Sequence, residues 1–303
     1  MGRIPQTVTN IKLLRERYYK TLPGKESLIK VINEAEIPEH VYNSNAIENS
    51  TLTLEETEKI LLQIDIDRYV SEREIFEAKN LARVMEYIET KSKEAELSLP
   101  LILFLHKMLI SNIRDDVAGR FRTGDEWVRV GTHIGANPKD VEGLLTDMLT
   151  EYQSGAHEHI VKRVAKLHLA FEYIHPFVDG NGRIGRALNN YCLMREGYVP
   201  INIAFANRAR YYDAFKEFQD SDKKKTGIME EIVGRALTAS YHKRLAYLES
   251  KRIITLKEYA REINPHTKLF GVGVNQSHSN LINKANRQTI PAFLEKGEWK
   301  IGV

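Results

Sequence analysis

A stretch of twelve residues, HPFVDGNGRIGR at positions 175–186, combines a base, a carboxylate, two arginines and a paired-glycine turn. Pro176 disfavours helical geometry at the residue before it, so a preceding helix is predicted to end near Ile174. Gly180 and Gly182 permit left-handed dihedrals and close approach of a ligand to the backbone. Because backbone N–H groups at the start of a helix bind anions, this turn predicts a phosphate site.

The charged side chains of the same stretch suit a phosphorylated ligand. Arg183 and Arg186 are three residues apart in the first turn of the predicted helix and share one face. Guanidinium groups match phosphate geometry bidentately. Asp179 could hold a hard cation such as Mg²⁺, which usually binds one or two carboxylates plus substrate phosphates. His175 is the titratable group that could take a proton from a nucleophile.

The stretch resembles the signature of the Fic (filamentation induced by cAMP) family, HPFx(D/E)GNGRxxR, at every specified position. Each residue alone would more often be structural, whereas the full set is specific. The resemblance implies a protein adenylyltransferase, which moves AMP from ATP to a Ser, Thr or Tyr hydroxyl of a target protein and of itself. His175 would be the general base, Asp179 would hold Mg²⁺, Arg183 would cradle phosphates and Arg186 would grip the γ-phosphate. The nucleotide-binding residues implied within the stretch are Asp179, Gly180, Asn181, Gly182, Arg183, Ile184, Gly185 and Arg186.

Upstream, the segment SNAIEN places Ser44 and Glu48 four residues apart, on one face of a predicted short helix. A solvated Ser–Glu pair is one interpretation. The segment also resembles the inhibitory motif of many Fic proteins, Ser/Thr-x-x-x-Glu-Gly/Asn. That resemblance implies that Glu48 pairs with Arg186, removes the γ-phosphate clamp and holds the enzyme inactive.

Residues 119–141 break the helical pattern, since Trp127, Val128 and Val130 have β propensity and lie between glycine-rich turns. We predict one hairpin here, and a plain surface hairpin is the alternative to a functional one. The segment resembles the Fic flap, which holds a target segment by strand addition along its exposed edge. The nucleotide-facing residues implied by position are Val130, Gly131, Thr132 and His133.

The resemblance also assigns the adenine end of the site. A Tyr-Tyr pair lines the adenine pocket of Fic proteins, which implicates Tyr211 and Tyr212, although one of the two is expected to be a core residue. Asn207 and Gln219 are weaker candidates. His168 lies on the apolar face of the helix before Pro176 and is predicted to be a hydrogen-bonded core histidine.

The elements that must position these residues are mainly helical. Amphipathic spacing predicts helices over 8–36 with a break at Pro23, from a capping box at Thr53 through Leu61, and over the longer segments that follow. Those further helices are 72–90, 100–114, 161–174, 183–195 and 226–250. The predicted fold is all-α, a Fic-type helical bundle with one β-hairpin flap and a small C-terminal winged-helix-like domain. The predicted domains are 1–99 with the inhibitory motif, 100–250 as the Fic core, and 251–303.

The C-terminal segments ITLKEYAREIN, HSNLINKAN and AFLEKGEWKIG resemble the helix-turn-helix and wing of excisionase-like modules, from which the insertion GVGVNQ departs. Residues 251–303 hold nine Lys/Arg against four Glu, so the basic excess of the chain lies here. Trp299 and Ile301 would close a small core. DNA contact through Arg261, Lys284 and Arg287 is one interpretation, and a protein partner is the other.

Composition excludes several classes of protein. The net charge of +3 does not indicate nucleic acid across the whole surface, and the single cysteine, Cys192, excludes a disulfide framework. The N-terminus has no apolar leader, and the apolar run at 99–105 is too short for a membrane span. We predict a cytoplasmic protein with ATP and a hydroxyl-bearing target as partners and no membrane. The oligomeric state is left open, a homo-oligomer included.

Three other functions fit the same residues. Fic folds also transfer phosphate or UMP, although the complete signature and the Tyr-Tyr pair favour AMP. Removal of AMP is the second, because Glu48 could orient a water molecule. A DNA-binding regulator that uses the Fic core as a nucleotide sensor is the third, and the intact His175 argues against it.

Overall fold

The computed structural model describes residues 6–221, 224–263 and 272–303. Within these ranges the chain is mainly α-helical, as predicted, with only small antiparallel sheets. The helices of the first part are α1 (Gln6–Thr21), α2 (Glu26–Ile47), α3 (Leu54–Leu61), α4 (Glu72–Lys91) and α5 (Leu99–Ile110). Those that follow are α6 (Val141–Ser154), α7 (Ile160–Ile174), α8 (Asn181–Arg195), α9 (Arg208–Asp220), α10 (Gly227–Glu249), α11 (Leu256–Ile263) and α12 (Val272–Asn286).

The start of α3 follows from local chemistry. The Thr53 side chain accepts a hydrogen bond from the Glu56 amide at 3.1 Å, and the Glu56 carboxylate accepts from the Thr53 amide at 2.8 Å. This reciprocal capping box was predicted and is confirmed. The α5 helix ends at Ile110, four residues earlier than expected.

The inhibitory motif lies on a longer helix than predicted. The α2 helix has 22 residues and carries Ser44 in its last turn, with Pro38 inside it. The expectation of a short separate helix was therefore wrong. Glu48 is the first residue after α2, and its backbone N–H is bonded to the Asn45 carbonyl at 3.0 Å. A long helix gives this motif a firmer support than a short one would.

The predicted hairpin is present but short. Strands β1 (Arg129–Val130) and β2 (His133–Ile134) are antiparallel, with Val130 opposite His133. Gly131 in the turn has φ +59°, a conformation that glycine adopts at little cost. Trp127 and Val128 precede the paired residues. We call residues 129–134 the flap.

The chain divides into two compact units, residues 1–33 with 234–303, and residues 34–233. The helices α2 and α10 each begin in one unit and end in the other, and the three predicted domains stay predictions. In the second unit α7 packs against α6, α8 and α9, and α4 packs against α5 and α8. Cys192 of α8 is buried there, and burial raises the pKa of its thiol to about 12.

The end of the chain forms a compact piece of the first unit. Strands β3 (Ile253–Thr255), β4 (Ala292–Glu295) and β5 (Glu298–Gly302) make an antiparallel sheet in the order β3-β5-β4, and α11 packs against α12. Its core consists of Leu256, Ala260, Leu281, Ala285, Ala292 and Ile301, with Trp299 partly buried against it. The predicted roles of Trp299 and Ile301 are confirmed.

The basic residues proposed for DNA contact, Arg261, Lys284 and Arg287, are exposed. DNA binding through them stays a prediction, as does the winged-helix assignment. No helix in the described part of the chain is both long and apolar enough to cross a membrane.

Candidate active site

The turn between α7 and α8 is fixed by three residues of the signature. The α7 helix ends at Ile174, and His175 adopts a left-handed conformation with φ +53°. Gly180, at φ +82°, is the N-cap of α8. The Asn181 amide bridges the turn, accepting a hydrogen bond from Phe177 N and donating one to Phe177 O, both at 2.8 Å. The side chain of Asn181 therefore holds the turn together and is not free to bind a ligand.

This turn borders a cavity of about 610 Å³. Its walls include most of the predicted site residues, namely Glu48, Val130, Gly131, Thr132, His133, His175, Asp179, Gly180, Asn181, Gly182, Arg183, Tyr211, Tyr212 and Gln219. Elements from the whole length of the second unit, between positions 48 and 219, thus converge on one site.

Four of the predicted nucleotide-binding residues do not line the cavity. Ile184, Gly185 and Arg186 are buried in α8, because successive side chains of a helix point about 100° apart and only the start of α8 faces the cavity. Asn207 is exposed in the turn Phe205–Asn207. Nucleotide binding by these four residues stays a prediction.

The imidazole of His175 is held at one nitrogen. Its Nδ1 lies 3.3 Å from the Glu172 carbonyl, and the side chain is 15% exposed. Burial lowers the pKa of His175 to about 4, because a desolvated imidazolium is unfavourable, and the hydrogen bond to the Glu172 carbonyl opposes this only in part. The ring is therefore neutral at pH 7 and can accept a proton.

The carboxylate of Asp179 is paired with two arginines. Arg73 Nη2 is 2.6 Å from Oδ2, and Arg183 Nη2 is 3.0 Å from Oδ1. Burial alone would raise the pKa of Asp179, but the charges of Arg183 and Arg73 outweigh it and the pKa is lowered. An anionic carboxylate beside the anion-binding turn fits a hard cation that takes its other ligands from phosphates. Arg73 would then have to share or release Asp179.

Two residues of α4 reach this site and were missed by the sequence analysis. Arg73 is one, and Glu77 is the other, with Oε1 3.0 Å from Arg183 Nη1. Arg73 Nε also lies 3.1 Å from Glu77 Oε1. Their spacing of four residues places both on one face of α4 and predicts that they pair with each other. The spacing does not predict that either residue contacts a motif about a hundred residues away.

The guanidinium of Arg186 is a buried hub. Its Nε donates to Ser44 Oγ at 2.8 Å, and its Nη2 donates both to Ser44 O at 2.9 Å and to Glu48 Oε1 at 2.9 Å. Its Nη1 donates to the Tyr211 hydroxyl at 3.2 Å. Ser44, in the last turn of α2, and Glu48, just after it, therefore occupy Nε and Nη2 of this guanidinium.

The backbone explains the spacing of the motif around Glu48. Asn49 has φ +71°, a left-handed conformation that glycine and asparagine tolerate best, which accounts for Gly or Asn at this position. A Cβ at Gly182 would overlap Oε1 of Glu48. The carboxylate of Glu48 thus lies directly against the first turn of α8.

The two tyrosines have different positions. Tyr211 is 2% exposed, and its hydroxyl lies 2.8 Å from His168 Nε2, so it is the core member of the pair. His168 is fully buried, as predicted for a hydrogen-bonded core histidine. Tyr212 is half-buried, lines the cavity and meets Tyr211 edge to face at 5.9 Å. Tyr212 is the ring available for stacking.

The flap is anchored by an arginine that the sequence analysis did not identify. Arg122 is 1% exposed and donates to the carbonyls of His175 at 2.7 Å, Glu126 at 3.0 Å, Ala136 at 2.6 Å and Ile174 at 3.2 Å. One side chain thus connects the segments on both sides of the flap to the backbone of the candidate base. Nothing in its sequence neighbourhood, FRTGDEW, distinguishes it from a surface arginine.

We expect Arg122→Ala to lower the free energy of unfolding by about 3 kcal/mol, because four carbonyls, one buried and three partly buried, lose a charged donor. Urea denaturation measures this. Arg120→Ala is the matched control, since Arg120 pairs with Glu126 at a partly exposed position, where ion pairs contribute about 1 kcal/mol or less. Equal losses for the two variants would contradict the anchoring role.

The chain is similar in sequence to proteins of one known family. Residues 96–193 match the model of the Fic/DOC family. The chain is 32% identical over 234 residues to a protein adenylyltransferase Fic from Drosophila willistoni, an alignment that covers 72% of this chain and 46% of that protein. This chain contains a domain of the Fic/DOC family. It spans less than half the length of that relative.

Solved structures agree on the fold of the Fic domain and its surroundings. A Fic-domain signalling protein from Bacteroides thetaiotaomicron superposes with a TM-score of 0.67 at 25% identity, covering 78% of this chain and 96% of that one. A Fic family protein from Desulfovibrio desulfuricans superposes over 100% of this chain and 97% of its own, with a TM-score of 0.66 at 20% identity, which concerns the fold alone. Glu48, Tyr211 and Tyr212 lie outside the segment matched by the family model.

Proposed function

We propose that this Fic protein transfers AMP from ATP to a Ser, Thr or Tyr hydroxyl of a target protein and of itself. The name protein adenylyltransferase carried by the Drosophila relatives supports the activity. The observation that carries the proposal is that a neutral histidine, an anion-binding turn and Arg183 border one cavity of about 610 Å³.

In the proposed reaction, different groups around the cavity act on the hydroxyl, the phosphates and the adenine ring. His175 takes the proton of the target hydroxyl as the oxygen attacks the α-phosphorus. The bond from that phosphorus to the bridging oxygen breaks, and pyrophosphate leaves. Backbone N–H groups at the start of α8 and the guanidinium of Arg183 bind the phosphate oxygens on which charge develops. The ring of Tyr212 on the cavity wall is suited to stack on adenine.

Asp179 is the residue that would hold Mg²⁺. The ion, when bound, supplies positive charge that stabilises the phosphates of the leaving group. Asp179 fits this task because its pKa is lowered and its carboxylate is anionic at neutral pH. Arg73 and Arg183 donate hydrogen bonds to this carboxylate and hold it beside the turn.

The flap is proposed to hold the target segment. Its strands have two residues each, and the side chains of Val130 and Ile134 are 42% and 60% exposed. An extended segment that pairs with such an edge is recognised mainly by its backbone, and apolar side chains add contacts. The hydroxyl would thereby be presented to His175 with little dependence on sequence.

We further propose that Glu48 keeps the protein inactive. Its carboxylate occupies Nη2 of Arg186, and Ser44 occupies Nε and the same Nη2. A γ-phosphate needs these two nitrogens of Arg186. While Ser44 and Glu48 occupy them, ATP would bind without this contact, and its α-phosphorus would lie out of line with the attacking oxygen. A misplacement of about 1 Å can cost a hundredfold in rate.

Labelled ATP tests the reaction type. Incubation of a Glu48→Gly variant with ATP labelled at the α-phosphate is expected to label protein, whereas label at the γ-phosphate is expected to leave with pyrophosphate. Label retained only from the γ position would identify a phosphotransferase. UTP labelled at the α-phosphate, in a parallel reaction, tests for UMP transfer.

The clamp role of Arg186 gives a separate expectation. Arg186→Ala is expected to lower transfer about tenfold or more even when Glu48 is already glycine, because Arg186 serves the γ-phosphate as well as the inhibitor. The measurement is the initial rate at several ATP concentrations. An unchanged rate would show that Arg186 acts only through Glu48.

Removal of AMP is a second candidate function. Glu48 is 41% exposed and lines the cavity, so its carboxylate could orient a water molecule against a bound phosphodiester. Target protein modified beforehand by the Glu48→Gly variant provides the substrate. Release of AMP by the native chain and not by the variant would support this reaction.

A further inference from the structure

A buried carboxyl group beside the candidate base has no task in the reaction described above. Glu172 lies in the last turn of α7, three residues before His175, and its side chain is 9% exposed. Within the described residues, its Oε1 makes no hydrogen bond. Leaving a buried carboxyl oxygen unpaired costs free energy, so its retention next to the base calls for a reason.

The two side chains are close enough to interact. Oε2 of Glu172 is 3.7 Å from Nδ1 of His175, and the same nitrogen is 3.3 Å from the Glu172 backbone carbonyl. One residue therefore presents two oxygens to the side of the ring that the backbone holds. A carboxylate in this place would attract the ring when the ring is protonated.

The helix opposite leaves room for this carboxyl group. A Cβ at Gly185 would overlap Oε1 of Glu172 and would lie 3.1 Å from Cε1 of His168. Gly185 was assigned to the nucleotide by its place in the signature. In the structure, the absence of a side chain at this position admits Glu172 against α8.

We propose that Glu172 is a positioning residue that forms, with His175, a buried carboxyl–imidazole pair, in which the carboxylate stabilises the imidazolium formed when the target hydroxyl loses its proton. In this step the O–H bond of the target breaks and an N–H bond forms on His175. The negative charge of Glu172 then stabilises the positive charge on the ring. This inference rests on the proposed transfer of AMP.

Several charged and titratable groups face Glu172 besides His175. Burial raises the pKa of Glu172 to about 8, Arg186 of α8 opposes that rise, and Glu48 after α2 adds to it. Burial raises the pKa of Tyr211 in α9, and the charge of Glu172 adds to that rise. His168 lies on α7 with Glu172, and its ring is close to Gly185. Together with the lowered pKa of His175, this means that around neutral pH the carboxyl group of Glu172 is protonated and the ring of His175 is neutral.

As the pH rises through the pKa of Glu172, its carboxyl group loses its proton, and the resulting carboxylate becomes available to a developing imidazolium. The rate should therefore rise with pH in a step near or below pH 8, because removal of Glu48 removes one cause of the raised pKa. A glutamine at position 172 cannot ionise, so the step should disappear.

Two measurements on the full chain test the proposal. In the Glu48→Gly background, kcat is measured from pH 6 to 9.5 with and without Glu172→Gln. The step should be lost and kcat at pH 9 should fall about tenfold or more, with KM for ATP unchanged. Nitrogen-15 NMR of labelled histidine in the otherwise native chain should show a second inflection in the His175 shifts near pH 8, absent from Glu172→Gln.

Further variants separate positioning from folding. Glu172→Asp should restore a pH step with a lower plateau. Gly185→Ala should displace the carboxyl and reproduce the loss, with little further loss in the double variant. Glu151→Gln, on the exposed face of α6, is the control and should change neither profile.

The outcomes separate this inference from the proposed function. Superimposable pH profiles and an unaltered His175 titration would overturn the role of Glu172. If the Glu48→Gly variant transfers no AMP at all, the proposed function fails, and the NMR titration still decides whether Glu172 and His175 form a pair.

Discussion

Glu48→Gly is expected to raise AMP transfer, self-modification included, by about a hundredfold. In the native chain the Glu48 carboxylate lies 2.9 Å from Arg186 Nη2, against the first turn of α8. Its removal frees the edge of the guanidinium that the γ-phosphate needs. The increase is measured as the initial rate of incorporation of α-labelled ATP, at equal protein concentration and saturating Mg²⁺.

The neighbouring residue provides the matched control. Asn49 already has φ +71°, so Asn49→Gly changes the same turn without strain and leaves the carboxylate in place. It should leave transfer at the native rate, whereas Glu48→Gln, which keeps the shape and loses the charge, should fall between. Equal activation by Glu48→Gly and Asn49→Gly would show that loosening the turn, and not the ion pair, is what matters.

His175→Ala is expected to lower transfer by about a thousandfold in the Glu48→Gly background while ATP still binds. Burial lowers the pKa of His175 to about 4, so the neutral ring is the reactive form throughout the neutral range. Rates of α-label incorporation give the loss, and calorimetric titration with ATP shows that the phosphate site is intact. The anion-binding turn and Arg183 are untouched by the substitution.

A second histidine controls for the loss of an imidazole. His157 is exposed in the turn after α6, and His157→Ala should leave the rate unchanged. Transfer that survives in His175→Ala would mean that another group takes the proton. In that case Glu172, 3.7 Å from the ring, would be the first residue to substitute in the same background.

The sequence predicted those parts of the site that depend on local chemistry. The end of α7 at Ile174 follows from Pro176, and the left-handed residue before the proline and the glycine cap of α8 lie within the same turn. The capping box at Thr53 is likewise a contact over three residues. The proximity of Ser44 and Glu48 to Arg186 was inferred from resemblance, since 138 residues separate Glu48 from Arg186.

The remainder depended on tertiary packing, which single-sequence patterns do not encode. Tyr211 and Tyr212 are adjacent in sequence and both border the cavity, yet helical geometry buries Tyr211 almost fully and leaves Tyr212 half-buried. Arg122 and Arg73 look like surface arginines, because their partners are backbone carbonyls and a carboxylate from distant segments. Glu172 resembles any charged residue on an amphipathic helix until α8 is placed over it.

Two glycines in the first part of α8 leave space for carboxylates of the protein itself, which mimic an anionic ligand. Gly182 and Gly185 each admit a carboxylate oxygen of the chain itself, from Glu48 and Glu172. Before any nucleotide arrives, the start of the helix therefore already has acidic oxygens beside it. Binding of ATP by the native chain would exchange one anion for another, and so would add less to the stability of the fold than filling a vacant site normally does.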